Sequence, residues 1–300
     1  MYTILGATGN IGSVITKKLL EKGEKVRVVG RSTAKLQPLV QKGAEAFIGD
    51  VGDPEALERA FSGARAAFLM IPPGRTSPDY RADQERTSGA ISGAVKGAGL
   101  HYAVHLSSYG AHAPAGTGPI LGLHSAELKV NAVDRLNVLH LRPAYFFENH
   151  LAGISMIQTM GVFGGALKGD LKIPMIATRD IGDYAADRLL KLDFNGKQTQ
   201  ELLGERDLTM NEVAAIIGKA LNNPELRYVQ FSYDQVQQAL VQMGTPPKTA
   251  ACFIEMFQGI NDGIVGATEP RCAKNTTATS FEGFVNEVFV PAYQARAVGA

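Results

Sequence analysis

Cysteine is scarce in this chain. Two occur in 300 residues, Cys252 and Cys272, and neither forms a Cys-x-x-Cys pair or joins a Cys/His cluster. A disulfide framework or a zinc site is therefore not expected, and reduced thiols fit a cytosolic protein. An excess of either charge is missing too: 30 Lys and Arg stand against 29 Asp and Glu, a formal net charge of +1. That balance argues against an electrostatic grip on nucleic acid or an anionic membrane. No apolar run approaches the ~18 residues of a membrane span, and the first residues lack the basic region, apolar stretch and cleavage site of a signal peptide. The expectation is a cytoplasmic protein. Repeats, low-complexity segments and evident linkers are absent, and nothing indicates an oligomer.

What the chain has is alternation. Short β-rich runs, "YTIL", "KVRVVG", "EAFIG", "AAFLMI", "YAVHLSS" and "LNVLHLR", are separated by segments of helical periodicity such as "GSVITKKLLEKG" and "PEALERAFSG". The runs are mostly apolar on both faces, as parallel strands covered by helices should be. The pattern predicts an α/β fold, a Rossmann-type doubly wound parallel sheet with its ligand crevice at the strands' carboxyl ends. After about residue 150 the rhythm changes. A helix is expected near 180–191, and another after Thr209, where Glu212 completes a capping-box pattern. Residues 1–150 read as a nucleotide-binding domain and 151–300 as a smaller, mostly helical substrate lobe, with the 180–191 helix packing back on the first.

Three glycines raise the first specific question. Gly6, Gly9 and Gly12 end the first strand and open the first helix, which is the context a dinucleotide site requires. Gly6 permits a tight turn, Gly9 lets backbone approach a pyrophosphate, and Gly12 allows close packing. The intervening Ala7, Thr8, Asn10 and Ile11 complete the turn, whose helix N-terminus offers N–H groups and partial positive charge to phosphate. Where an acidic residue would hold a free ribose 2′-hydroxyl, the second strand ends in Gly30-Arg31-Ser32-Thr33, with Lys35 close behind. A cation with hydroxyls suits a 2′-phosphate, so NADPH is the expected cofactor. At the end of strand three, Asp50 is placed to reach an adenine amino group and Val51 to pack on its face. Asp53 before Pro54 reads as a helix N-cap. Ile71 and Pro72, after strand four, should run beside the cofactor ribose.

The spaced glycines, "GDVGDPEAL", "LRPAYFFEN" and "TRDIGDYAA" together resemble the NmrA-like branch of the atypical short-chain dehydrogenases/reductases. The resemblance covers nearly the whole chain and is most specific in the first 190 residues. It implies an NADPH-dependent reductase of quinones, azo dyes or triphenylmethane dyes, or a redox-sensing regulator that binds the cofactor without catalysis.

One family feature is missing. Ordinary members of the superfamily use a Tyr-x-x-x-Lys pair, and no tyrosine here has lysine four residues later. Counting back from "LRP", the lysine position falls on His124 and the tyrosine position on Ile120. A histidine, with an ordinary pKa of ~6.5, can bond a ribose hydroxyl when neutral or donate a proton when charged. It can equally be a half-buried residue satisfied by backbone. Ser108 closes strand five, where the superfamily's catalytic serine resides; it either meets a substrate carbonyl or satisfies strand-end backbone. Tyr109 is out of register for the standard acid, although its phenol can still face the crevice, which keeps it with His124 and Ser108 among the catalytic candidates. After strand six, Pro143, Ala144, Tyr145 and Phe146 are expected beside the nicotinamide, and Phe146, Phe147 and Asn149 at the substrate, the aromatics being equally readable as core. No histidine is expected to bind metal.

Hydride transfer to an acceptor that needs no strong general acid fits such a site. A quinone or a cationic dye qualifies, because its product spreads or neutralises charge. The main requirement is then to hold nicotinamide C4 and the acceptor carbon ~3–3.5 Å apart in a dry pocket. The competing expectation is a non-catalytic NADP(H) sensor acting through a protein partner. An epimerase or ether reductase, which would want a positioned acid or base, is disfavoured.

Overall fold

The order of strands in the main sheet decides where a ligand can sit. In the computed structural model, which describes residues 1–298, the six expected strands are β1 (Tyr2–Leu5), β2 (Val26–Gly30), β3 (Glu45–Ile48), β4 (Ala66–Leu69), β5 (Tyr102–Leu106) and β6 (Asn137–Pro143). Six further strands follow: β7 (Tyr145–Phe146), β8 (Phe163–Gly165), β9 (Ile173–Ile176), β10 (Lys197–Leu202), β11 (Asp207–Leu208) and β12 (Tyr228–Gln230). The main sheet runs β10-β6-β5-β4-β1-β2-β3, and every neighbouring pair is parallel. The chain winds outward from β1 to β3, then crosses back to β4 on the other side of β1. The carboxyl ends of β1 and β4 therefore flank the switch point where such sheets open a crevice.

Helices cover both faces, which is why the central strands are apolar throughout. On one side lie α1 (Asn10–Glu21), α2 (Thr33–Val40) and α7 (Thr178–Lys191), burying Ile15, Leu19, Leu36, Ile181 and Leu189. On the other lie α3 (Pro54–Phe61), α4 (Tyr80–Gly97) and α5 (Ile120–Asn131), burying Leu57, Phe61, Ile91, Val95 and Val130. Asp53 caps α3 as expected, accepting the N–H groups of Glu55 and Ala56 at 3.1 Å each. Helix α7 starts two residues earlier than the sequence reading and approaches α1 closely, since a Cβ on Gly182 would lie 2.7 Å from Cβ of Val14.

Two edges depart from expectation. β3 is largely exposed rather than covered on both faces, and β10 was not anticipated. β10 extends the sheet beside β6, so the sheet draws on residues well past 150. The remainder forms a lobe with its own core, in which Phe147, Phe163, Phe281, Phe284 and Phe289 are buried. Its helices are α6 (Ile154–Met160), α8 (Met210–Ala220), α9 (Tyr233–Gln242), α10 (Pro247–Asn261), α11 (Phe281–Phe284) and α12 (Val290–Val298). The capping box of α8 is present in both directions, Glu212 N–H to Thr209 Oγ1 at 3.1 Å and Thr209 N–H to Glu212 Oε2 at 2.7 Å. No helix among the described residues is long and apolar enough to cross a membrane.

Candidate functional site

The turn between β1 and α1 has the shape that its glycines suggest. Gly6 sits at φ 64°, in the left-handed region that favours glycine, and accepts the Gly9 N–H at 2.9 Å. A Cβ on Gly12 would lie 2.3 Å from Gly6 O and 2.8 Å from Cα of Ala7, so α1 can seat against the turn only with glycine there. Gly9 is different: a Cβ would meet only Gly6 O, at 3.3 Å. No side chain caps α1, and the first helical bond runs from Ser13 N–H to Gly9 O at 3.0 Å. The N–H groups of Asn10, Ile11 and Gly12 precede it, in the first turn of the helix beside the exposed Thr8, Gly9 and Asn10. That is a cradle of donors with positive dipole character, which have no acceptor among the described residues. These residues fit a pyrophosphate.

At the end of β2, Arg31 is 82% exposed and its Nη1 lies 3.9 Å from Asp50 Oδ2, a long, solvent-screened pair. Ser32 caps α2 by accepting the Lys35 N–H at 3.4 Å, which leaves its own O–H free to donate. Arginine, hydroxyl and helix N-terminus thus converge on one small surface. Asp50 uses its other oxygen at home, accepting the Gly52 N–H at 2.7 Å, so only one carboxylate oxygen remains for an adenine amino group. Val51 and Ile71 are half-buried and Pro72 is exposed, bordering the same end of the sheet.

The residues expected around the reaction divide into two groups. His124 projects from α5 and its Nδ1–H donates to Ala111 O at 2.8 Å, which leaves Nε2 in the neutral ring as an acceptor. Ser108 is half-buried and donates to the carbonyl of Tyr109 at 3.0 Å, the backbone-satisfying alternative. Pro143 and Ala144 lie at the carboxyl end of β6, where Ala144 N–H bonds Leu202 O at 2.9 Å. Tyr145 and Phe146 alternate: the first packs toward the lobe's core and the second toward the sheet's.

The other group is drawn away from an open site. Tyr109 is 8% exposed within the lobe's apolar cluster. Burial pushes its phenol up to about 12, helped by the carboxylates of Asp207 and Glu201. It is a core tyrosine and a poor acid. Phe147 is 1% exposed, with its ring centroid 5.1 Å from that of Phe281 and 5.5 Å from that of Phe284. It is a core aromatic rather than a pocket wall. Asn149 is exposed on the 3₁₀ turn Phe147–Gly153.

Sequence reasoning missed the layer that sets α5 in place. Glu127, one turn after His124, is buried and accepts from Ser107 Oγ at 2.5 Å and, through both oxygens, from Arg142 Nε and Nη2. This ties α5 to the carboxyl ends of β5 and β6, and so sets where His124 stands. The spacing of Glu127 from His124 was readable; its partners on two other strands were not. Among the described residues no group of three or more His, Cys, Asp and Glu side chains could hold a metal ion.

The family profile that matches residues 2–285 is that of the NmrA-like family. The chain belongs to the NmrA-like family. It is 29% identical over 259 residues, 86% of each chain, to an NAD(P)H azoreductase of Xenophilus azovorans. Its fold is shared with the NADPH-dependent quinone oxidoreductase QOR2 of Escherichia coli in complex with NADPH, at TM-score 0.83 and 24% identity, covering 96% of this chain and 100% of that one. The triphenylmethane reductase of Citrobacter sp. complexed with NADP(H) superimposes at TM-score 0.78 and 19% identity, covering 96% and 99%.

Proposed function

We propose that this NmrA-like protein is an NADPH-dependent reductase that transfers hydride to a planar quinone-like or dye-like acceptor. The observation that carries the reading is the pairing of an uncapped glycine turn with a reaction edge that holds no accessible tyrosine–lysine pair. Bound across the carboxyl ends of β1 and β4, NADPH supplies a hydride equivalent. The chain's own part is positional. Backbone N–H groups of residues 10–12 take the pyrophosphate, Arg31 and Ser32 the 2′-phosphate, and His124 Nε2 a ribose hydroxyl. Pro143, Ala144, Tyr145 and Phe146 form the wall beside the reacting carbon. The names of the azoreductase and quinone reductase relatives support the same class of acceptor.

The deciding experiment measures NADPH oxidation against quinones, azo dyes and triphenylmethane dyes, alongside NADPH binding. Turnover with at least one acceptor is expected. Tight binding without turnover on any of them would favour the sensor reading instead.

Two variants test the assignments. Arg31→Ala should weaken NADPH by about one to two decades, the worth of one charge-assisted contact of roughly 1.5–3 kcal/mol, and NADH far less. The remaining preference should shrink as salt rises. An equal loss for both cofactors would remove Arg31 from the 2′-phosphate. His124→Ala should weaken NADPH severalfold, about 1 kcal/mol for one neutral hydrogen bond, and lower turnover without abolishing it. A fall of roughly 10²–10⁴ together with loss of a rate dependence near neutral pH would make His124 the proton donor.

A further inference from the structure

Arg75 is exposed, in the segment that joins the carboxyl end of β4 to α4. Its guanidinium carbon lies 5.4 Å from the centroid of the Phe253 ring, on α10. Phe253 in turn stacks on Tyr80, centroids 5.9 Å apart and planes 28° from parallel. The backbone on both sides of Arg75 is anchored. A Cβ on Gly74 would lie 3.0 Å from the Tyr80 ring, Ser77 N–H bonds Gly74 O at 2.9 Å, and the Thr249 hydroxyl donates to Ser77 O at 2.6 Å.

The charges nearby are matched. Lys248 pairs with Asp79, Arg81 with Glu255 at 2.5 Å, and Arg86 with Asp83 at 2.8 Å. Arg75 has no carboxylate within 4.0 Å among the described residues. Its charge is felt at the site: burial pushes the Tyr145 phenol up to about 12, and Arg75 pulls against that rise. An exposed arginine that rests on an aromatic ring and has no carboxylate partner keeps its other face and its N–H edge open, in the segment that follows the carboxyl end of β4 where the crevice opens. A planar anion can stack on that face or be held at that edge by two parallel hydrogen bonds.

We propose that Arg75, backed by Phe253, is an acceptor subsite that selects planar acceptors bearing an anionic group, such as a sulfonate or carboxylate, over neutral and cationic ones. The inference rests on the reductase reading and names its substrate class. The test compares a naphthoquinone sulfonate with the unsubstituted naphthoquinone in NADPH oxidation, for the parent, Arg75→Gln and Arg75→Lys. The ratio of kcat/KM, sulfonate over neutral, should fall about tenfold in Arg75→Gln, chiefly through KM, and recover in part in Arg75→Lys. In parallel, calorimetric titration of the sulfonate into the NADP⁺-loaded protein should show the same loss of affinity without any turnover. An unchanged ratio or an unchanged affinity in Arg75→Gln would overturn the subsite. Arginine-dependent binding of the sulfonate by a protein that oxidises NADPH with none of the quinones, azo dyes or triphenylmethane dyes would uphold the subsite and overturn the reductase reading.

Discussion

A Gly9→Val protein is expected to fold like the parent and to bind NADPH about 10²–10⁴-fold more weakly, the worth of two lost charge-assisted hydrogen bonds. The backbone at Gly9, φ −86° and ψ 173°, is extended and open to any residue. A Cβ there meets only one carbonyl oxygen, at 3.3 Å, so a small adjustment accommodates it. Valine is a poorer N-cap than glycine, which should lower stability by about 1 kcal/mol, or roughly 2–4 °C in Tm. Its methyls, however, stand over the N–H groups of Asn10, Ile11 and Gly12 and occupy the space of a pyrophosphate oxygen. Gly12→Ala should behave in the opposite way. Its methyl collides with the backbone of Gly6 and Ala7, which cannot rotate aside, so stability should fall by about 1–3 kcal/mol or more before any ligand is added. Thermal melts and NADPH titrations of the two variants separate the cases. Parent-like affinity in a folded Gly9→Val protein would show that the turn is not the phosphate site.

Acid should unfold this protein well above the pH at which its carboxylates titrate. Three histidines are buried and neutral. His105 and His140 face each other across β5 and β6, with their Nδ1 atoms 2.9 Å apart, and His140 Nε2 meets Asn131 Oδ1 at 2.9 Å. With Asn131 accepting from Nε2–H, His140 accepts at Nδ1 from His105, so a proton added at that Nδ1 turns the acceptor into a donor facing the His105 N–H, and charging both rings would place two cations in contact. Burial holds both members of the pair well below the ordinary histidine range, helped by the facing His140 ring for His105 and by the charges of Arg142 and Lys197 for His140. His150 is enclosed by the rings of Tyr145, Phe163 and Phe281, its Nε2 has no hydrogen-bond partner among the described residues, and burial pushes it down to about 3.

The sign follows from linkage. Below about pH 6.5 the unfolded chain binds protons on these rings and the native chain does not, so stability present above that pH is lost as pH falls. Three protons correspond to a slope approaching roughly 4 kcal/mol per pH unit, against a total stability of about 5–15 kcal/mol. Glu148, raised chiefly by burial, works in the other direction but contributes at most one proton. Urea midpoints measured between pH 7 and 5 should fall steeply, and His150→Phe should flatten the slope by about one proton. A parent whose midpoint is constant over that range would contradict the account.

Much of this was legible without coordinates, for reasons that differ by residue. The strand–helix alternation of the first half is local: apolar runs of strand length, amphipathic segments, Asp53-Pro54 as a cap and Gly6 as a turn each act within a few neighbours. The box at Thr209 and Glu212 was readable for the same reason. β10 was not, because "KQTQEL" is an edge strand with polar, largely exposed side chains, and its strand character lies in backbone bonds to β6 rather than in any pattern of its own. Tyr109 and Phe147 looked like site residues because they follow the right strands, but both are buried in a cluster completed by Val265, Phe281 and Phe284, far along the chain. Glu127 reads as a solvated helix residue until β5 and β6 bring Ser107 and Arg142 to it. Arg75 acquires a meaning only when α10 places Phe253 beneath it. By itself, then, the sequence determined the elements, the glycine turn and the basic, hydroxyl-bearing character of the surface at the end of β2, since covalent geometry and nearest-neighbour packing set those. Tertiary structure alone decided which side chains face the crevice, which are buried, and which histidines stay neutral, because burial and charge pairing depend on residues that meet only after the chain has folded.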